Sequence, residues 1–172
     1  MLNAHMTQQP VSMMTAVNFG ELKISKNPAE TLVAFSIGSG IGVSIYDSKT
    51  KSGGLLNLVL PDSSMLSPLK ARIQPYMFAD TGLAALFDAL HDLGAQKENF
   101  KVVLAGGAQI MDQTTEFNMG HKNHRAVTSI LQAEHLTVRY ADIGGFCLRT
   151  LRLDMGNGDT VIQTLGQTEV MV

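Results

Sequence analysis

Three apolar, strand-like runs follow one another within residues 32–60 and leave no room for a helix between them. In the middle run Ile41, Val43 and Ile45 alternate with smaller or more polar residues, a period of two that is typical of a β-strand. Residues 47–54 hold Asp, Ser, Lys and two Gly, which predicts a hairpin turn between the second and third runs. Strands grouped in this way favour an α+β fold over a doubly wound parallel sheet.

Two helices and four more strands are predicted further along the chain. The first helix rests on five apolar residues spaced three or four apart: Leu83, Leu86, Phe87, Leu90 and Leu93. Asp80 or Thr81 would cap its start and Gly94 would end it. The second helix is predicted over residues 123–135, and the further strands over residues 102–105, 136–140, 146–153 and 160–165. The Gly-Asn-Gly sequence at 156–158 is a strong hairpin signal.

The length and composition predict one globular domain. The chain has 172 residues, of which 45% are hydrophobic and only 16% charged, whereas disordered chains combine low hydrophobicity with high net charge. The first residues are polar, rich in Met and without a period, so we expect a flexible tail over residues 1–20 and a single domain over residues 21–172.

Charge and hydropathy exclude several classes of partner. The net charge is −2 and no run of basic residues occurs, so nucleic acid is not an expected partner. Residues 31–46 form an uncharged stretch interrupted by Ser and Gly, and it is shorter than the roughly 18 apolar residues that a membrane-spanning helix needs. The first 16 residues lack the charged and apolar regions of a secretory signal. We therefore expect a cytoplasmic protein that does not insert into membranes.

Neither a cofactor nor a metal site is expected. The glycine-rich stretch at 38–42 leads into β-branched residues, whereas a phosphate-binding loop opens a helix. His121 and His124 are spaced to share a helix face, but Lys122 and Arg125 flank them and no acidic ligand is adjacent.

Nucleophilic side chains give a weak signal. The single cysteine, Cys147, falls inside the apolar run at 146–153, which favours a buried structural thiol over a reactive one. Ser39 lies between two glycines, but the strand–turn–helix context of a nucleophile elbow is missing.

Several short motifs, in order, resemble one family. They are Ile-Gly-Ser-Gly-Ile-Gly-Val at 37–43, Gly-Leu-Leu-Asn-Leu-Val-Leu-Pro at 54–61, Tyr-Met-Phe-Ala-Asp-Thr at 76–81, Ala-Gly-Gly-Ala at 105–108, Met-Gly with Asn123 at 119–123, and Asp-Ile-Gly-Gly with Arg149 at 142–149. Their order and spacing look like CheD, the chemoreceptor glutamine deamidase of bacterial and archaeal chemotaxis. The resemblance implies a single-domain α/β sandwich with mixed sheets and flanking helices.

The resemblance also implies a chemistry. In the family a Cys thiolate attacks a receptor glutamine, a His activates the thiol, and a Thr orients the His. The matching positions in this chain are Gly40 for the Cys, Asn57 for the His and Ala34 for the Thr. Because none of these three residues can act as the nucleophile, the base or the orienting group, the sequence predicts a divergent member that does not deamidate by the family mechanism.

The function expected from the resemblance is therefore binding. The partners it implies are chemoreceptor cytoplasmic helices or a phosphatase of the CheC type. Two alternatives stay open at this point, namely an active glutamine deamidase that uses a nucleophile foreign to the family, and an unrelated binding role on the same fold.

Overall fold

The computed structural model describes residues 13–109 and 118–172. Within this part, the strands are β1 (Met13–Ala16), β2 (Glu21–Ser25), β3 (Glu30–Ile37), β4 (Ile41–Asp47), β5 (Ser52–Leu58), β6 (Phe100–Gly106), β7 (Val138–Ile143), β8 (Arg149–Asp154), β9 (Thr160–Thr164) and β10 (Val170–Met171). The α-helices are α1 (Pro68–Ile73), α2 (Ala79–Asp92) and α3 (Met119–Ala133). Single turns of 3-10 helix lie at Ser63–Met65, Pro75–Met77 and Lys97–Asn99.

The strands form two five-stranded sheets of mixed direction. The outer sheet has the order β1-β3-β8-β9-β10, and only β1 and β3 run parallel in it. The central sheet has the order β2-β5-β4-β6-β7, and only β6 and β7 run parallel. A parallel pair needs a crossover, and α3 lies between β6 and β7 in the chain. The α+β class and the α/β sandwich are therefore confirmed.

The central sheet is buried on both faces. Successive side chains of a strand point to opposite faces, so Leu56 packs with the helices while Leu55 packs between the two sheets. Leu86 of α2 and Val127 of α3 belong to the helix-side core. Every residue of strands β4 and β5 is buried, and Asp47 is the one charged residue among them.

The predicted elements are present with shifted ends. All seven predicted strands and both predicted helices occur, and β4 and β5 form the expected hairpin with Asp47 opposite Ser52. Gly94 follows α2 with φ +83°, as expected of a helix terminator. The predicted caps of α2 are wrong, because Phe78 stands at the N-cap and the Asp80 carboxylate accepts hydrogen bonds from Ser63 instead.

Strands β1, β2 and β10 and helix α1 are not predicted from the sequence. The first twelve residues of the expected tail lie outside the described residues, whereas β1 pairs with β3 and Val17 is buried. Such short elements carry too few residues for a recognisable period, and the three strands are held by backbone hydrogen bonds to β3, β5 and β9. No helix of the described ranges is both long enough and apolar enough to cross a membrane.

Asp47 ties the β4–β5 hairpin to the loop that precedes β6. Its buried carboxylate accepts hydrogen bonds from the backbone N–H groups of Lys49 at 2.7 Å and Gln96 at 3.0 Å. Burial raises the pKa of Asp47, but the hydrogen bonds from Gln96, Lys49 and Thr50 outweigh burial and hold the pKa below its ordinary value. The carboxylate therefore stabilises the fold most when it is ionised.

Asp47→Asn is expected to lower the free energy of unfolding at neutral pH by about 1–3 kcal/mol, because a backbone donor loses its acceptor. The lowered pKa of Asp47 means that the wild-type advantage is complete above about pH 4 and is lost as the pH falls further. Urea denaturation of both proteins at several pH values measures this. Asp92→Asn, at an exposed position of α2, is the control, and a difference between wild type and Asp47→Asn that grows on acidification would contradict the prediction.

Candidate functional site

Six connections meet at one end of the sandwich, which we call the site end. Strands β1, β3, β5, β6, β7 and β9 run toward this end, and β2, β4, β8 and β10 begin there. The described residues of these connections are 17–20, 38–40, 59–78, 107–109, 144–148 and 165–169. Most of the motifs that resemble the CheD family lie at or next to this end.

Backbone hydrogen bonds join these connections into one junction. The Gly107 N–H donates to the Gly40 carbonyl at 2.7 Å, and the Ala108 N–H donates to the Gly38 carbonyl at 2.9 Å. The Gly144 N–H donates in turn to the Gly106 carbonyl at 2.9 Å. The turn between β3 and β4 is thus fixed against the segment that follows β6, and the segment that follows β7 is fixed against the end of β6.

The junction is packed so closely that glycine is required at its centre. A Cβ atom on Gly40 would lie 2.4 Å from the Leu58 carbonyl oxygen, closer than real Cβ contacts come. A Cβ atom on Gly106 would lie 2.3 Å from the Gly40 carbonyl oxygen, and Gly106 has φ +122°. Backbone therefore occupies the space that a side chain at position 40 would need.

Asn123 of α3 holds two of these connections together. Its Nδ2 group donates to the Ser39 carbonyl and to the Val59 carbonyl, both at 2.8 Å. The side chain is fully buried, and its Oδ1 atom has no hydrogen-bond partner among the described residues. From the sequence Asn123 is recognised only as part of a motif, since bridging two distant carbonyls leaves no local pattern.

The other two positions that the resemblance singles out face the space between the sheets. Ala34 of β3 belongs to the inter-sheet core and is fully buried. Asn57 of β5 is 1% exposed, and its Nδ2 group donates to the Val17 carbonyl at 3.1 Å. The Asn57 amide thus fixes the segment that follows β1, and Val17 lies against this part of the site end.

These three positions supply no acid–base or nucleophilic chemistry. Ala34 and Gly40 have no functional group, and the amide of Asn57 does not titrate near neutral pH. The glycine-rich stretch at 38–42 opens strand β4 and not a helix, which confirms that it lacks the form of a dinucleotide-binding loop.

Cys147 is exposed, so the expectation of a buried thiol is wrong. Strand β8 begins only at Arg149, and residues 146–148 form a loop at the site end. Arg149 shapes this loop, because its guanidinium donates to the Gly144 carbonyl at 2.8 Å and to the Cys147 carbonyl at 3.2 Å. It also pairs with the Asp142 carboxylate at 2.7 Å. The apolar run at 146–153 therefore has two parts. Residues 146–148 form an exposed loop, and residues 149–153 belong to strand β8.

His121 and His124 lie in the first turns of α3, as their spacing indicated. Burial lowers the pKa of His124, and the charge of His121 lowers it further. Within residues 13–109 and 118–172, no three His, Cys, Asp or Glu side chains come together as a metal site.

Large apolar side chains are exposed on the connections of the site end and also on strands β1, β3, β7 and β10. Those on the site-end connections are Phe19, Met65, Leu69, Ile73, Tyr76, Phe146, Leu148 and Leu165. The connections at the opposite end, residues 26–29, 48–51, 93–99, 134–137 and 155–159, expose no large apolar side chain. Exposed apolar groups concentrated at one end mark an interaction surface.

The site end and the opposite end each hold a cavity, and the two cavities differ. One of about 350 Å³ opens at the site end beside Ser36, Leu148 and Leu165. Another of about 510 Å³ lies at the opposite end near Phe87, where Lys97 already pairs with Glu134 and lies 5.6 Å from the Phe87 ring centroid. Because some charged groups of this larger cavity already pair with each other, it is the weaker candidate for a binding site.

The chain is similar to one protein family. The family model for "CheD chemotactic sensory transduction" matches residues 59–164. "Probable chemoreceptor glutamine deamidase CheD 1" of Syntrophus aciditrophicus is 41% identical over 150 residues, which cover 87% of this chain and 93% of that protein. "Probable chemoreceptor glutamine deamidase CheD" of Solibacter usitatus is 35% identical over 156 residues, covering 91% and 92%. The family-model match begins beyond Ala34, Gly40 and Asn57, so it does not bear on those positions.

Proposed function

The chain belongs to the CheD family, and we propose that it acts in chemotaxis as a cytoplasmic protein that binds chemoreceptor helices without deamidating them. The observation that carries this proposal is the combination found at the site end. The apolar surface needed for binding is present there, while Ala34, Gly40 and Asn57 offer neither nucleophile nor base.

The chemistry of amide hydrolysis supports the part of the proposal that says the protein does not deamidate the receptor. An amide carbonyl is attacked only by an activated nucleophile, and the ammonia that leaves needs a proton donor. Groups that act as one catalytic unit fail together when the nucleophile is missing. The backbone contact at Gly40 and the structural hydrogen bond of Asn57 support a site remodelled around these residues.

Binding is tested with a cytoplasmic chemoreceptor fragment and, separately, with a CheC-type protein. Phe146→Ser combined with Leu165→Ser removes two of the most exposed apolar side chains of the site end and is expected to weaken receptor binding about tenfold. Tyr140→Ser, at an exposed position of strand β7, is the matched control and should bind like wild type. Wild-type protein that does not bind the receptor fragment would refute the proposal, whether or not it binds the CheC-type protein.

A second candidate is an active glutamine deamidase with a nucleophile foreign to the family. The observation that favours it is the exposure of Cys147 on the loop before β8. Release of ammonia from a receptor fragment that stops on Cys147→Ser would establish this candidate in place of the first.

A further inference from the structure

We propose that helix α1 is the element of the site end that selects the partner, and that it docks an amphipathic helix whose apolar stripe is flanked by carboxylates. This inference rests on the proposed function, because it specifies how the binding surface distinguishes one helix from another. The connection between β5 and α2 carries α1 outside the packed core, and none of the six helix residues is buried.

The apolar side of α1 is largely exposed. Leu69 and Ile73 are 60% and 68% exposed, and residues four apart lie on the same helix face. Ala71, on the opposite face, is the one residue of α1 that is partly buried. The helix therefore turns Ala71 inward and its two large apolar side chains outward, and it lies next to the 3-10 turns at Ser63–Met65 and Pro75–Met77.

Two cations flank this apolar side symmetrically. At about 100° per residue, Lys70 and Arg72 project about 80° to either side of the line between Leu69 and Ile73. Both side chains are exposed, and neither has a hydrogen-bond or ion-pair partner among the described residues. The exposed surface of α1 is thus an apolar strip with a free positive charge on each side.

The neighbouring acids do not offset these charges by direct contact. Within residues 59–78 the sole acid is Asp62, whose carboxylate accepts from the Ser64 N–H at 2.7 Å. Asp80 is engaged by the N–H and hydroxyl groups of Ser63. Within the described residues, Lys70 and Arg72 therefore present a positive surface that no acid pairs with, although the whole chain has a net charge of −2.

Charge complementarity indicates which kind of partner docks on α1. A helix with an apolar stripe bordered by glutamate or aspartate matches the strip and both cations, in the way that flanking charges select partners in coiled coils. An anionic membrane is the weaker match, because two basic residues and two apolar side chains are too few for stable anchoring. The negative net charge of the chain also repels an anionic membrane.

The experiment measures binding of a synthetic helix of about 20 residues, long enough to be helical, with a leucine stripe flanked by glutamates. Lys70→Glu combined with Arg72→Glu is expected to weaken binding about tenfold and to reverse the preference toward the same helix flanked by lysines. Leu69→Ser combined with Ile73→Ser should also weaken binding, and this loss should not depend on salt.

Lys49→Glu combined with Lys51→Glu is the matched control. It makes the same charge change at the same spacing, at exposed positions of the opposite end, and should leave binding unchanged. The inference is overturned if the α1 variants bind like wild type, if the control loses as much, or if wild-type protein prefers phosphatidylglycerol vesicles to the acidic helix.

The same variants separate this inference from the proposed function. If wild type binds the chemoreceptor fragment and the α1 variants bind it equally well, the role of α1 is refuted and the proposed function stands. If the acidic helix binds through α1 and neither the chemoreceptor fragment nor the CheC-type protein binds, the proposed function is refuted and the role of α1 stands.

Discussion

Asn123→Ala is expected to lower the free energy of unfolding by about 2–4 kcal/mol, because the Ser39 and Val59 carbonyls both lose their donor. The empty space left beside a fully buried side chain adds to this loss. Chemical denaturation followed by circular dichroism measures the change. Gln132→Ala, at an exposed position of the same helix, should change the stability by no more than about 0.5 kcal/mol.

A further variant separates the hydrogen bonds of Asn123 from its packing. Asn123→Asp keeps the shape of the side chain but replaces the donor by an oxygen that faces two carbonyls, so at neutral pH it should destabilise at least as much as alanine. An Asp variant with wild-type stability would show that the two hydrogen bonds do not hold the site end together.

Gly40→Cys, which places a thiol where the resemblance implies the family's nucleophile, is expected to destabilise the protein by about 1–3 kcal/mol and to give no deamidation. The new Cβ atom would meet the Leu58 carbonyl oxygen at 2.4 Å, and backbone cannot yield as a flexible side chain does. Adding Asn57→His and Ala34→Thr should not restore turnover, since both positions are buried and packed. Catalysis requires groups held within about half an ångström of their productive geometry.

Ser39→Cys is the control for Gly40→Cys, because it places a thiol one residue away at a position that already carries a side chain of similar size. It should fold with wild-type stability and should also lack activity. Efficient turnover by the triple variant would contradict the account, since it would show that the site end still holds the geometry of a deamidase.

The sequence predicts those parts of the fold that have a clear period. Strand β4 and helix α2 are recognised from alternation and from a leucine stripe, because each buries one regular set of side chains. Strand β1 has four residues, and β2 shows alternation only through Leu22 and Ile24. These edge strands are held by pairing with β3 and β5, which no local pattern reveals.

The site end is harder to predict because long-range contacts build it. The sequence singles out Gly40 and Asn57 through their resemblance to the family, but not the backbone contact at Gly40 or the bridge made by Asn123. Cys147 lies in an apolar run that indicates burial, yet Arg149 holds the loop before β8 away from the strand. Helix α1 is missed because Leu69 and Ile73 are its only large apolar residues and because Pro68 at its start, between Pro61 and Pro75, suggests an irregular segment.

The central claim is that the chain binds chemoreceptor helices and leaves their glutamines intact. The most direct measurement incubates wild-type protein with a chemoreceptor fragment at concentrations that saturate the complex, and follows both the mass of the fragment and the release of ammonia. The account predicts a complex, an unchanged mass and no ammonia. A gain in mass with release of ammonia, in step with the amount of this protein added, would contradict it.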